Sequence, residues 1–291
     1  MKGNLLDHID AFYNHMEHLW SSRRTWKFVV TLIILIFLIY MVLITLKRFH
    51  WIAGPLTHWI PTNHFYAVHL AFSMLLIIEV MGLVFSIAHS IARSVGKQFE
   101  IFSLILLRQS FEEFVNFSEP IVWEEVQKSI VPIVSNATGS LLIFLALGVY
   151  YRIQKHRRIT ADDTEQFRFI ATKKIVALTL LLIFIVMGIH HTYTIFHPEL
   201  TYFFFNSFYT VLIFSDILLV LISLRYCSTY HVVYRDSGFA LGTVLIRIAL
   251  TAPPIYNVLL GIGASALIIA LTLVYNMFIP EIEKEALFKL K

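Results

Sequence analysis

Stretches 28–46, 65–92, 130–151, 175–197, 202–224 and 255–278 are apolar over about 20 residues or more, the length a helix needs to cross the roughly 30 Å hydrocarbon core of a bilayer. In lipid a spanning segment must satisfy its own backbone N–H and C=O groups, so such stretches become helices. Composition agrees. The chain is 58% hydrophobic and 14% charged, against about 45–50% and about 25% for a soluble domain. An ordinary soluble enzyme, a disordered chain and a collagen-like fibre are thereby excluded as expectations. One cysteine, Cys227, allows no internal disulfide and no cysteine-rich zinc site. The net charge of +4 does not point to nucleic acid, because in a chain this apolar the placement of charge matters more than its sum.

Two shorter apolar segments, 98–117 with Arg108 and 237–252 with Arg247, decide the topology. If both cross, there are about eight spans with both termini cytoplasmic. Of the 23 Lys and Arg, only Lys47, Arg48 and Lys128 then face outside, with Arg108 and Arg247 inside the membrane. If neither crosses, the cluster from Arg152 to Lys174 moves across the membrane from the N-terminus and the positive-inside bias is lost. The first span lacks a small-residue cleavage site and is kept as part of the fold. Ahead of it, Leu5, Ile9, Phe12, Met16, Leu19 and Trp20 recur at helical spacing, which predicts an amphipathic helix on the inner membrane surface.

The chain also repeats itself. Asn63, Phe65, Tyr66 and Val68 return as Asn206, Phe208, Tyr209 and Val211, and His89, Arg93 and Gly96 return at the same spacing as His231, Arg235 and Gly238. Ser103 and Arg108 are echoed by Thr243 and Arg247, and Pro120-Ile121 by Pro254-Ile255. The expected fold is an all-α polytopic membrane protein of two tandem four-helix units, related by a pseudo-twofold along the membrane normal. Its parts are a surface helix (1–22), the first unit (23–155), a basic cytoplasmic linker (156–172), the second unit (173–280) and a cytoplasmic tail (281–291).

The run of HxxxR, a Thr or Ser, an Arg, a Pro and a final apolar span resembles the phosphate-starvation-inducible PsiE-like family of small four-span membrane proteins. His231, Arg235, Thr243, Arg247 and Pro254 carry the resemblance in the second half, and His89, Arg93, Ser103, Arg108 and Pro120 in the first. It implies a four-helix fold per unit and brings no activity with it. Two units in tandem are a departure from that family.

Ionisable groups at bilayer depth are costly, by about 2.5–3.5 kcal/mol each on insertion scales, and therefore mark function or a fixed pair. Glu79 and Asp216 lie mid-span, Arg108 and Arg247 in the short segments. Measured from His89 and Gly96, Glu79 stands about 15 Å and Arg108 about 18 Å into the membrane, which predicts that they pair. Asp216 at about 22 Å and Arg247 at about 14 Å match less well. These residues are the expected ion pathway or gate. His89 with Arg93 and His231 with Arg235 stand at i and i+4, so each pair shares a helix face at the inner boundary and suits an anion or lipid headgroup.

The other histidines collect toward the outside. A metal site from His190, His191, His197 and Glu199, or a haem between His89 and His231, has no diagnostic spacing behind it, so no cofactor is expected. Nucleotide loops, zinc-protease motifs and serine elbows are absent from the sequence, so an enzyme is not expected either. The leading functional expectation is a channel or transporter for a small ion, proton or anion, in the inner (plasma) membrane. The bilayer and its anionic headgroups are the expected partners, together with further copies of the chain or a membrane protein. A non-transporting scaffold or regulatory partner is the alternative, and a haem or metal redox protein the third.

Overall fold

A computed structural model describes residues 2–51, 60–87, 91–154, 163–195, 204–226 and 230–289. Among them every regular element is helical: α1 (Lys2–Ser21), α2 (Arg23–Arg48), α3 (Phe65–Ser86), α4 (Ile91–Glu112), α5 (Trp123–Ile153), α6 (Asp163–Ile195), α7 (Phe204–Tyr226), α8 (Tyr230–Thr251) and α9 (Tyr256–Lys289), with one 3-10 turn (Glu113–Asn116) after α4. Local chemistry sets several boundaries. The Ser22 hydroxyl accepts from the Arg24 N–H at 3.3 Å and opens α2, and Glu124 and Glu125 sit favourably in the first turn of α5. Pro253 and Pro254 stop α8 at Thr251, since neither offers an N–H to continue the ladder.

Six helical segments are long and apolar enough to cross a membrane, in α2, α3, α5, α6, α7 and α9. They are the stretches expected from the sequence, and they give the chain the make-up of a multi-pass membrane protein. The two short segments are also helices, but each starts earlier than expected, at Ile91 and Tyr230 rather than near 98 and 237. At 22 residues each they reach about 33 Å. Charge keeps them from counting among the apolar spans.

Contacts run α2 to α3 to α4 to α5, and again α6 to α7 to α8 to α9. Cross-contacts join α4 to α8, α5 to α9 and α3 to α6. The core lies where α4, α5, α8 and α9 meet, with Phe99, Phe102, Ile143, Tyr150, Phe239 and Ile268 buried in it. Close approach there depends on glycine. A Cβ on Gly139 would stand 2.4 Å from Val258 Cγ2, and one on Gly261 2.2 Å from Phe102 Cε1. By contrast α2 is peripheral, with Phe28, Leu32, Leu35 and Ile39 on its exposed side.

Helix α1 does form, and two of its expected apolar positions, Met16 and Trp20, pack against the core. Phe12 and Leu19 are exposed, whereas Tyr13 is buried and donates its hydroxyl to the Phe85 carbonyl at 2.5 Å. Burial, and after it the Glu17 carboxylate, raises the Tyr13 phenol above its ordinary pKa, so it stays a donor. Trp20 leans on the Phe85 ring at 5.9 Å, and Lys174 of α6 donates to Asp10 and Asn14 at 2.6 Å each. A tyrosine that pairs its polar tip with a bundle carbonyl gives α1 a protein surface to pack on.

Candidate functional site

Helices α7 and α8 run antiparallel, and each brings an ionisable residue inward. At about 1.5 Å per residue, Asp216 lies about 15 Å from the Tyr226 end of α7 and Arg247 about 25 Å from the Tyr230 start of α8. Side chains lean toward the N-terminus of their helix, so Asp216 and Arg247 lean toward each other. Arg247 Nε comes within 3.8 Å of Asp216 Oδ2, with the side chains only 2% and 5% exposed. That is an ion pair but not a hydrogen bond. Arg247 Nε and Nη2 and Asp216 Oδ2 have no hydrogen-bond partner among the described residues.

Gln98 of α4 and Thr243 of α8 reach the Asp216 side chain and line one small cavity with it, with space of about 30 Å³, enough for a single water. The same cavity is lined by Lys173 of α6 and Asp236 of α8. Asp236 is 1% exposed and accepts from Ser223 at 2.7 Å and from Arg235 Nε and Nη2 at 2.9 and 2.8 Å. The carboxylate thus gathers a hydroxyl and a guanidinium, with the Lys173 ammonium in electrostatic range.

In the other direction, Tyr209 of α7 is buried within electrostatic range of Arg247, Arg108, Glu112 and Glu79. Arg108 is ion-paired to Glu112, one turn along its own helix at 3.5 Å, and His69 Nδ1 of α3 lies 3.1 Å from Glu112 Oε1. His69, Glu112, Gln109, Asn136 and Asn257 line an open polar pocket of about 390 Å³. At its floor Asn257 Nδ2 donates to Gln109 at 3.0 Å and to Asn136 at 2.9 Å. The polar side chains therefore succeed one another from this pocket to Arg235, nearly the length of the bundle.

The expected Glu79–Arg108 ion pair is not formed; the two interact only at longer range. The expectation took the turn at Gly96, but α4 begins at Ile91. Glu79 is then about 10 Å and Arg108 about 25 Å from that end, too far apart even for side chains that lean together. The same shift brings Asp216 and Arg247 into range. Arg93 is exposed on α4 near Tyr151, while Arg235 stacks on Tyr275. His89, His197 and Glu199 lie outside the described residues. Among the described residues no group of three or more His, Cys, Asp or Glu is placed to hold a metal ion.

Sequence reasoning missed Lys173, Asp236, Gln98, Tyr209 and the Asn136–Asn257 amide contact. In the sequence Lys173 reads as one more member of the basic cluster from Arg152 to Lys174. Two signals were present: an acid, Asp236, beside the arginine of a basic turn, and asparagines inside two otherwise apolar spans.

At the pocket end Glu119 accepts from Arg48 Nη1 at 2.9 Å and from the His64 backbone N–H at 2.9 Å, with His64 Nδ1 2.8 Å away. Desolvation raises this carboxyl, but the His64 hydrogen bonds and the two neighbouring charges outweigh it and hold it below the usual range. A carboxyl depressed in the folded state adds stability above its unfolded pKa and loses it as pH falls through the folded one. The thermal midpoint in detergent should therefore drop below about pH 4, and Glu119→Gln should flatten part of that drop. An unchanged pH slope in Glu119→Gln refutes the assignment.

Comparison with protein-family models, curated proteins and solved structures finds no match.

Proposed function

We propose that this protein is an eight-span membrane protein, built of two tandem four-helix units, that moves protons across its membrane. The repeated order of helix contacts supports the duplication, and the PsiE-like resemblance belongs to the same reading. By the positive-inside rule the Arg235 end faces the cytoplasm and the 390 Å³ pocket faces outside. The observation that carries transport is the succession from Glu112 at the pocket rim and Arg108 through Tyr209 to buried Arg247, Asp216, Gln98 and Asp236. Its central cavity has room for one water, which suits a proton passed between side chains better than a hydrated ion needing an open pore.

The test is dye-reported proton flux in proteoliposomes, with the membrane potential set by potassium and valinomycin. Asp216→Leu with Arg247→Met removes both charges together and should leave a folded protein without flux; Glu79→Gln should weaken flux. Wild-type vesicles that carry no protons at any imposed potential would sink this reading in favour of the scaffold alternative.

A further inference from the structure

A second aromatic-rich pocket, about 260 Å³, opens between α8 and α9 at the Arg235 end. Tyr230 and Tyr234 stack at 6.1 Å, and His231 lies 4.8 Å over Phe278 with the rings 17° from parallel. The Arg235 guanidinium sits 4.6 Å from the Tyr275 ring centroid. Its Nε and Nη2 are committed to Asp236, so its orientation is fixed and Nη1 is left for a further partner. Arg235 and Lys173 oppose the single carboxylate of Asp236, which leaves the cluster one positive charge in excess. Around the pocket Leu241, Leu273, Val274 and Met277 are exposed. An oriented guanidinium among tyrosines, beside an exposed apolar helix flank, is the arrangement of a membrane interface.

We infer that this pocket binds the phosphate-bearing headgroup of an anionic membrane lipid, with the phosphate on Arg235 and an acyl chain along the α8–α9 flank. The site carries a consequence for the buried charges. Asp236 lines the cavity that Asp216 also lines, so a lipid phosphate on Arg235 Nη1 sets a second anion across the guanidinium that Asp236 holds and alters the field at Asp216. Lipid occupancy thereby sets the activity of the pathway. The binding stands independently; this regulatory step rests on the transport reading.

The test is native mass spectrometry of delipidated full-length protein, given phosphatidylglycerol, a phosphate-free diglycosyl lipid, or inorganic phosphate alone. Wild type should retain phosphatidylglycerol and not the glycolipid. Arg235→Gln should lower retention about tenfold, the worth of one charge-assisted hydrogen bond. Tyr234→Ala removes a 57%-exposed ring and leaves the Arg235–Asp236 pair intact, so a loss of lipid there is not a folding defect. Equal retention by wild type and both variants overturns the site. So does binding of inorganic phosphate with no retained phosphatidylglycerol, which makes the occupant a free anion. Retention is read without transport, so failure of this site and failure of the proton reading are separate results.

Discussion

Asp216→Ala should destabilise the protein more than Arg247→Met, although both delete one end of the same contact. Removing one member of a buried ion pair typically costs about 3–5 kcal/mol, because the other is left as an uncompensated charge. The two ends are not equivalent in how they escape that state. A buried carboxylate can take up a proton and become neutral, whereas a guanidinium cannot shed one. Arg247, 2% exposed and already without hydrogen-bond partners on Nε and Nη2, has no such relief. Asp216→Ala therefore belongs at the upper end of that range and Arg247→Met at the lower. The double variant Asp216→Leu with Arg247→Met should return close to wild-type stability, since apolar replacement of a whole buried pair is often neutral or better. Thermal unfolding in detergent of the four proteins closes the cycle. Additive single losses in the double variant would show that the two side chains are not coupled.

The second large effect is expected at a position with no charge. Gly261→Ala places a Cβ 2.2 Å from Phe102 Cε1 and 2.6 Å from its Cζ, with Ile143 Cδ1 behind at 3.5 Å. Phe102 is 1% exposed and packed among α4, α5 and α9, so its ring has nowhere to turn. Overpacking of this kind costs about 1–3 kcal/mol, occasionally more, through forced rotamers and backbone shifts. It should lower the melting midpoint and loosen α9 from α4. Gly263→Ala, two residues on and with nothing within 4 Å of the added carbon, is the matched control and should be close to neutral. Equal midpoints for the two variants would mean that α9 does not approach α4 this closely.

What the sequence disclosed follows from what each feature depends on. Span number and order are properties of local composition over about 20 residues, and all six apolar spans appear where the hydropathy places them. Asp216, Arg247, Glu79 and Arg108 stood out because charge in an apolar run is expensive wherever the run ends up. Their pairing was misjudged because it depends on where α4 and α8 begin. Glycines at 96 and 238 read as turns but are close-packing positions inside helices, against Tyr151 and Leu271. Lys173 and Asp236 were obscured for a different reason. Both sit beside basic residues that mark the end of a span, and only the fold shows that their side chains turn inward rather than to water. In α1 the apolar spacing picks out Met16 and Trp20 but passes over Tyr13, whose hydroxyl makes the buried contact.

The helix pairs α7–α8 and α3–α4 differ in how they are fastened. Helix α7 is tied to α8 by Asp216 and Arg247 in the interior, with the two side chains only 5% and 2% exposed. Between α3 and α4, Arg108 pairs within its own helix, and the polar contact across the helices is that of half-exposed His69 and Glu112 at the pocket rim, where water can substitute for either partner. Sliding α3 along α4 thus trades one solvated contact for another, while sliding α7 along α8 strands two charges. The α7–α8 contact is thus the costlier of the two to break, because its charges lie where burial penalises a stranded partner.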